Sequence, residues 1–291
     1  MHIIVCVKQV PDPTIVKYDL ETGALKNIHH IMDALDEIAL SEAINIRQKH
    51  GGKVTAVSLG PAQSEAVLRT CLKMGADKAV HVCDPLLDDS DSYLTALALS
   101  RVIAREEYDL VLCGKESMDE ADCFLGAGIA EWLSLPLVTC ATRIDIYADT
   151  RTAIVHRRLK GGDREVVESP LPALFTVEGI LAKPVYPCLR TILSGLRKDV
   201  ARLDAATLGL DAHDIRPRVA VVGISQPKPR LKKTATIDSS LSPAERMKLI
   251  TAGGVAQKKS NIIDKLPKPA AAEIIKFMLE HGLISHDRQA E

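Results

Sequence analysis

Residues 53–83, KVTAVSLGPAQSEAVLRTCLKMGADKAVHVC, decide the fold. Lys53 to Leu59 is a short apolar run of β-forming residues, and Gly60-Pro61 breaks it and opens a helix on which Ala66, Leu68, Cys71 and Leu72 face the sheet. Ala79 to Cys83 is the next apolar run. A helix between two such strands carries the chain back to its starting edge, so the strands run parallel. The alternation extends in both directions. Upstream, His2 to Val7 forms a first strand that leaves through Lys8 to Asp12, and Asp33, Ala34, Leu35, Ile38, Ala39, Ala43 and Ile46 recur at helical spacing until Gly51-Gly52 stops them. Downstream come a helix from about Asp91 to Arg105, a strand from Asp109 to Cys113 running into Gly114, and a helix near Phe124 to Leu133.

Composition agrees with this reading. Hydrophobic residues make up 46% of the 291 positions but aromatics only 3%, so the core must be built from Val, Ile, Leu and Ala, the mixture of a mostly parallel sheet with helices on both faces. The chain is long enough to bury such a core without disulfides or metal. With 37 Lys+Arg against 38 Asp+Glu, bulk charge offers no attraction to nucleic acid or anionic lipid, and neither is expected as a partner. The start MHIIVCVKQVPDP reads as a strand and loop rather than a secretory segment, and no apolar run approaches a membrane span. The seven cysteines form no CxxC and no close His/Cys cluster, which argues against zinc, iron–sulfur or a dithiol pair and makes most of them buried small side chains. A reducing cytoplasm is the expected compartment.

Beyond residue 133 the parallel pattern gains an antiparallel edge. Leu137 to Ile144, Thr152 to Leu159 and Glu165 to Glu168 read as strands, the last two joined as a hairpin across Gly161-Gly162. Leu189 to Val200 is amphipathic. Gln226 to Lys233, with its prolines and basic residues, cannot be a central strand. A short helix can begin at Ser242-Pro243 and end at Gly253-Gly254, and a last one spans about Ala270 to Leu279. Residues 1–200 therefore read as one α/β domain and 201–291 as an extended C-terminal arm with short helices.

The strand exits at Lys8–Asp12, Ser58–Pro61 and Gly114–Ser117 share one sheet edge, where helix N-termini and backbone groups can receive a phosphate or an adenine. None of them is a GxGxxG or a P-loop. Ordinary connecting loops account for them better than a ligand site does, and Met118-Asp119-Glu120-Ala121-Asp122 reads as a solvated helix start rather than a metal site. No Ser/His/Asp spacing can be assembled, so hydrolase chemistry is not expected.

Several phrases exceed a generic α/β chain. IIVCVKQVPD at 3–12, MDALDEIALSEA at 32–43, AVSLGPAQSEAVLRTCLKMGAD at 56–77, VLCGKES at 111–117 and GGDREVVESPLPALFTVEG at 161–179 resemble, in order and spacing, the electron-transfer flavoprotein beta subunit family over roughly residues 1–200, and Leu208 to Asp211 also looks family-like. The resemblance implies an adenine-nucleotide-hydrolase-like α/β domain that works with a partner, the electron-transfer flavoprotein alpha subunit, which carries FAD. It further implies AMP, or in flavin-bifurcating NADH-oxidising members a second FAD, in the beta subunit itself, and electron exchange with a redox partner dehydrogenase. A nucleotide-binding regulatory protein of the same α/β group is the reading from a different class.

Carried onto this chain, the resemblance implies that Val7 and Lys8, Asp33 with Asp36, Ser58 and Gly60, and Gly114, Lys115, Asp119, Asp122, Cys123, Phe124, Leu125 and Gly126 enclose the nucleotide, with backbone amides near 122–126 facing phosphate. The chain departs from the pattern at Asp33-Ala34, where the family usually has Asn-Pro. It departs again at 116–126, where ESMDEADCFLG stands in place of segments like QAxDGDTAQVG or QAIDDDCNQTG. Asp119 and Gly126 keep their positions, whereas Phe124 and Leu125 remove side-chain polar partners and leave only backbone ones. Tyr186-Pro187-Cys188-Leu189 is similar to the family loop whose exposed leucine enters a partner dehydrogenase. Leu189 also reads as the first apolar anchor of the following helix.

Overall fold

The computed structural model describes residues 1–19, 25–26, 28–88, 90–211, 214–219, 222, 241–251 and 265–284. The expectations for Gln226 to Lys233 and for the stop at Gly253-Gly254 lie outside them. In chain order the first elements are β1 His2–Cys6, β2 Gln9–Pro11, β3 Lys17–Tyr18, β4 Leu25–Lys26, β5 His30–Met32, α1 Ala34–His50 and β6 Lys53–Leu59. They are followed by α2 Glu65–Met74, β7 Lys78–Val82, α3 Ser92–Ile103, β8 Leu110–Gly114, α4 Leu125–Leu133, β9 Leu137–Tyr147, β10 Thr152–Arg158, β11 Arg164–Pro170 and β12 Ala173–Val177. The last are α5 Leu189–Leu196, β13 Val200–Leu203, α6 Pro243–Thr251 and α7 Pro267–Glu280.

Among the described residues the main sheet has nine strands in the order β11-β10-β9-β12-β8-β1-β6-β7-β13. Every neighbouring pair from β9 to β13 is parallel, and β9, β10 and β11 pair antiparallel, the hairpin turning at Gly161-Gly162. The central strands are buried on both sides: β1 is buried over its whole length. One core layer joins Ile3, Val5 and Ala56 to α1 and α2 through Leu40, Ile44, Leu68 and Leu72; the other joins Ile4, Cys6 and Val57 to α3 and α4 through Leu97, Ile103 and Ile129. This is the α/β arrangement the low aromatic content called for.

Two local departures have clear causes. A 3-10 turn at Ala62–Ser64 precedes α2, and Ala66, expected to face the sheet, is exposed while Val67 is buried, because at about 100° per residue Ala66 lies on the side opposite the buried Leu68. Two strands of the main sheet were not read from the sequence, nor were the short β2 to β5 outside it. β12 inserts between β9 and β8 in the middle of the sheet, and β13 adds an edge beside β7. Burial of the core continues past β13 through Ala205, Leu208 and Leu210.

The chain separates into two compact units, Met1–Gln226 and Pro227–Glu291. Among the described residues no helix is long and apolar enough to cross a membrane. Of the cysteines, Cys6, Cys71 and Cys113 are buried core residues, while Cys123 and Cys188 are exposed.

Candidate functional site

Because β1 lies between β8 and β6, the exits of these three strands open side by side. A cleft of about 240 Å³ sits over the C-terminal end of β1. Its floor is the backbone from Cys6 to Lys8, one wall is the β6–α2 turn with Gly60, Pro61 and Ser64, and the opposite wall is the loop from Gly114 to Leu125. A further wall comes from Leu87, Asp88 and Ser90 after β7 and from Ser92, Thr95 and Leu99 of α3. That wall was not read from the sequence. Its signal was the acidic loop after β7, the exit of the next parallel strand along, which must open toward the same edge.

Two aspartates hold the loops in place. Asp33 is the N-cap of α1: its side chain accepts from Leu35 N at 2.9 Å and from Met118 N at 2.7 Å, which ties the 114–125 loop to the helix start. Asp36, one turn on, accepts from Lys8 N at 2.8 Å and from Gly114 N at 2.9 Å, joining the β1 and β8 exits. Burial, and then the charge of Asp33, raise the Asp36 carboxyl to about 7, although the two backbone N–H bonds pull the other way.

Lys8 Nζ reaches across the cleft to Asp119 Oδ1 and Glu120 Oε2, each at 3.0 Å. Burial works against its charge, but these two carboxylates outweigh it and raise the ammonium above its usual value. Lys115 Nζ lies 3.2 Å from Glu116 Oε1 and 3.3 Å from Glu178 Oε2.

Of the residues singled out in the sequence, Val7, Lys8, Asp36, Gly60, Gly114, Lys115, Asp119, Asp122, Cys123, Phe124 and Leu125 line the cleft. Asp33, Ser58 and Gly126 stand behind it. Ser58 is fully buried, paired in register with His81, and its Oγ has no hydrogen-bond partner. Gly126 is a packing residue: a Cβ there would lie 2.4 Å from Thr176 Cγ2 and 3.1 Å from Cys113 Sγ, so glycine lets α4 seat on β12 and β8. Leu189 is elsewhere, 71% exposed at the start of α5.

The family model described as "Electron transfer flavoprotein domain" matches residues 24–208. The chain is 35% identical over 269 residues to the electron transfer flavoprotein subunit beta of Thermoanaerobacterium thermosaccharolyticum, covering 91% of this chain and 98% of that one. The chain belongs to the electron transfer flavoprotein beta-subunit family. Protein FixA of Azotobacter vinelandii is 33% identical over 86% of this chain and 95% of its own. The caffeyl-CoA reductase-Etf complex subunit CarD of Acetobacterium woodii is 34% identical over 72% and 80% respectively.

The cleft offers both apolar and charged surface. Leu59, Leu87, Phe124 and Leu125 provide apolar surface, and the backbone comes close at Gly60 and Gly114, where a Cβ would lie 2.6 Å from Ser64 Oγ and 2.8 Å from Asp36 Oδ1. Six of the polar lining residues are carboxylates, Asp36, Asp88, Glu116, Asp119, Glu120 and Asp122, beside two lysines, Gln9 and five hydroxyls.

Proposed function

We propose that this chain is the nucleotide-holding half of an electron-transfer heterodimer: the cleft over β1 holds an adenosine-containing nucleotide, and an alpha-type subunit carries the FAD through which electrons pass between a dehydrogenase and an acceptor. The observation that carries this reading is the convergence of the β1, β6 and β8 exits on one cleft, braced by Asp33 and Asp36, in a chain of this family. The nucleotide is AMP in the carrier form and a second FAD in a flavin-bifurcating form. The residues beyond the α/β core, from 227 onward, are assigned as the arm contacting the alpha-type subunit, and Leu189 as a contact for the dehydrogenase. The compartment consistent with this role is the cytoplasm.

The test is to denature the purified complex and identify every released nucleotide by mass. One FAD with one AMP supports the carrier form, and two FAD support the bifurcating form. One FAD with no adenine nucleotide belonging to this subunit rejects the cleft assignment.

A further inference from the structure

The lysines that line the cleft are both committed to protein carboxylates, Lys8 to Asp119 and Glu120, and Lys115 to Glu116 and Glu178. Against them stand the carboxyl groups of Asp36, Asp88, Glu116, Asp119, Glu120 and Asp122. That balance is opposite to one that draws binding energy from a phosphate dianion. One of these carboxylates sits where an anion would otherwise be received. Backbone φ is positive at Ala121 (52°) and Cys123 (58°) and −90° at Phe124, the N-cap of α4, whose first turn offers backbone N–H groups. Asp122 takes one backbone N–H there itself: its Oδ1 accepts from Phe124 N at 3.2 Å, and its Oδ2 accepts from the Ser92 hydroxyl.

We infer that Asp122 is a specificity-determining residue of the cleft: it occupies the anion position ahead of α4, so an adenosine-containing ligand is held through its nucleoside part and gains little from a terminal phosphate. This rests on the nucleotide reading above and narrows it to ligands whose affinity does not depend on a phosphate dianion.

The experiment compares equilibrium binding of adenosine and of AMP to the full-length chain, purified with its alpha-type partner and stripped of nucleotide, in the unaltered form and as Asp122→Asn. Asparagine keeps an oxygen for Phe124 N and offers an amide to Ser92, so the turn is retained and only the charge is lost. The unaltered protein is expected to bind AMP no more than about threefold tighter than adenosine, and Asp122→Asn to tighten AMP about tenfold while changing adenosine far less. Asp122→Ser, a second neutral capping residue, is expected to shift AMP in the same direction, and it serves as the test if the asparagine variant does not fold. AMP already bound tens of times tighter than adenosine by the unaltered protein, or equal changes for both ligands in the variants, overturns the inference and leaves the nucleotide site standing. Binding of neither ligand to any form overturns both.

Discussion

At the residue scale, Asp36 does most to hold the cleft together. Its carboxyl sits among buried groups and accepts the N–H of Lys8 and of Gly114, so one side chain positions two strand exits. With a folded-state value of about 7 against an ordinary 3.8, the native state binds this proton more tightly than the unfolded chain does. The contribution of Asp36 to stability is therefore complete below the ordinary value and is lost as pH rises through about 7. Urea unfolding from pH 5 to pH 8 should show this decline, and Asp36→Asn should flatten it. The same variant should be less stable overall by about 1–3 kcal/mol, because its amide faces a backbone N–H that needs an acceptor. A pH dependence identical in the two proteins would rule out Asp36 as the titrating group. Gly126 makes a different demand on the same region. Gly126→Ala places a methyl 2.4 Å from Thr176 Cγ2, so α4 must move off the sheet, at a cost of about 1–3 kcal/mol. Thermal unfolding measures it, and an unshifted midpoint would show that the helix relaxes freely.

At the scale of elements, α5 is seated by another glycine and aims its apolar side outward. A Cβ on Gly195 would lie 2.4 Å from Leu72 O and 2.5 Å from Leu72 C, both backbone atoms of α2, so the two helices touch without room for a side chain. The end of the helix is pinned by Arg69 Nη1 donating to Lys198 O and by Lys198 Nζ donating to Ala76 O, each at 2.8 Å. Meanwhile Leu189, Leu193 and Leu196 remain 71%, 49% and 57% exposed, an apolar face on a firmly anchored support. Leu189→Ala should slow electron transfer to the physiological dehydrogenase while leaving flavin and nucleotide content unchanged. Stopped-flow kinetics with that partner decides the matter, and an unchanged rate removes Leu189 from docking. The β13 edge that follows is tied to α2 through Arg202, whose guanidinium pairs with Glu65.

At the scale of the whole molecule, the second compact unit exposes large apolar side chains among its described residues. Ile274, Ile275 and Phe277 on α7 are each about half exposed. Surface of that kind on a helix calls for cover by another chain. Coexpression with an alpha-type subunit should give one peak in size-exclusion chromatography, persisting as ionic strength is raised. Separate elution of the chains across protein concentrations would count against the heterodimer.

Local chemistry carried much of the architecture in the sequence. Lys53–Leu59 is bounded as a strand by its own composition and by the Gly60-Pro61 break, and Asp33 caps α1 because an aspartate before a helical repeat satisfies the first free N–H groups. The loops that meet at the cleft could be named because parallel strands deliver their exits to one edge. What required the tertiary structure was everything set by neighbours distant in the chain. Ala173–Val177 is apolar throughout, as a strand buried on both faces must be, but its place between β8 and β9 is set by residues distant in the chain. Asp33 and Gly126 were expected to enclose the ligand, yet they stand behind the cleft, and their roles as brace and packing gap are defined by Met118 and Thr176, residues 85 and 50 positions away along the chain. Hydrophobic period and capping are local and can be read along a chain, whereas strand order, close approach and the sharing of a buried carboxylate between two loops are properties of the packed molecule.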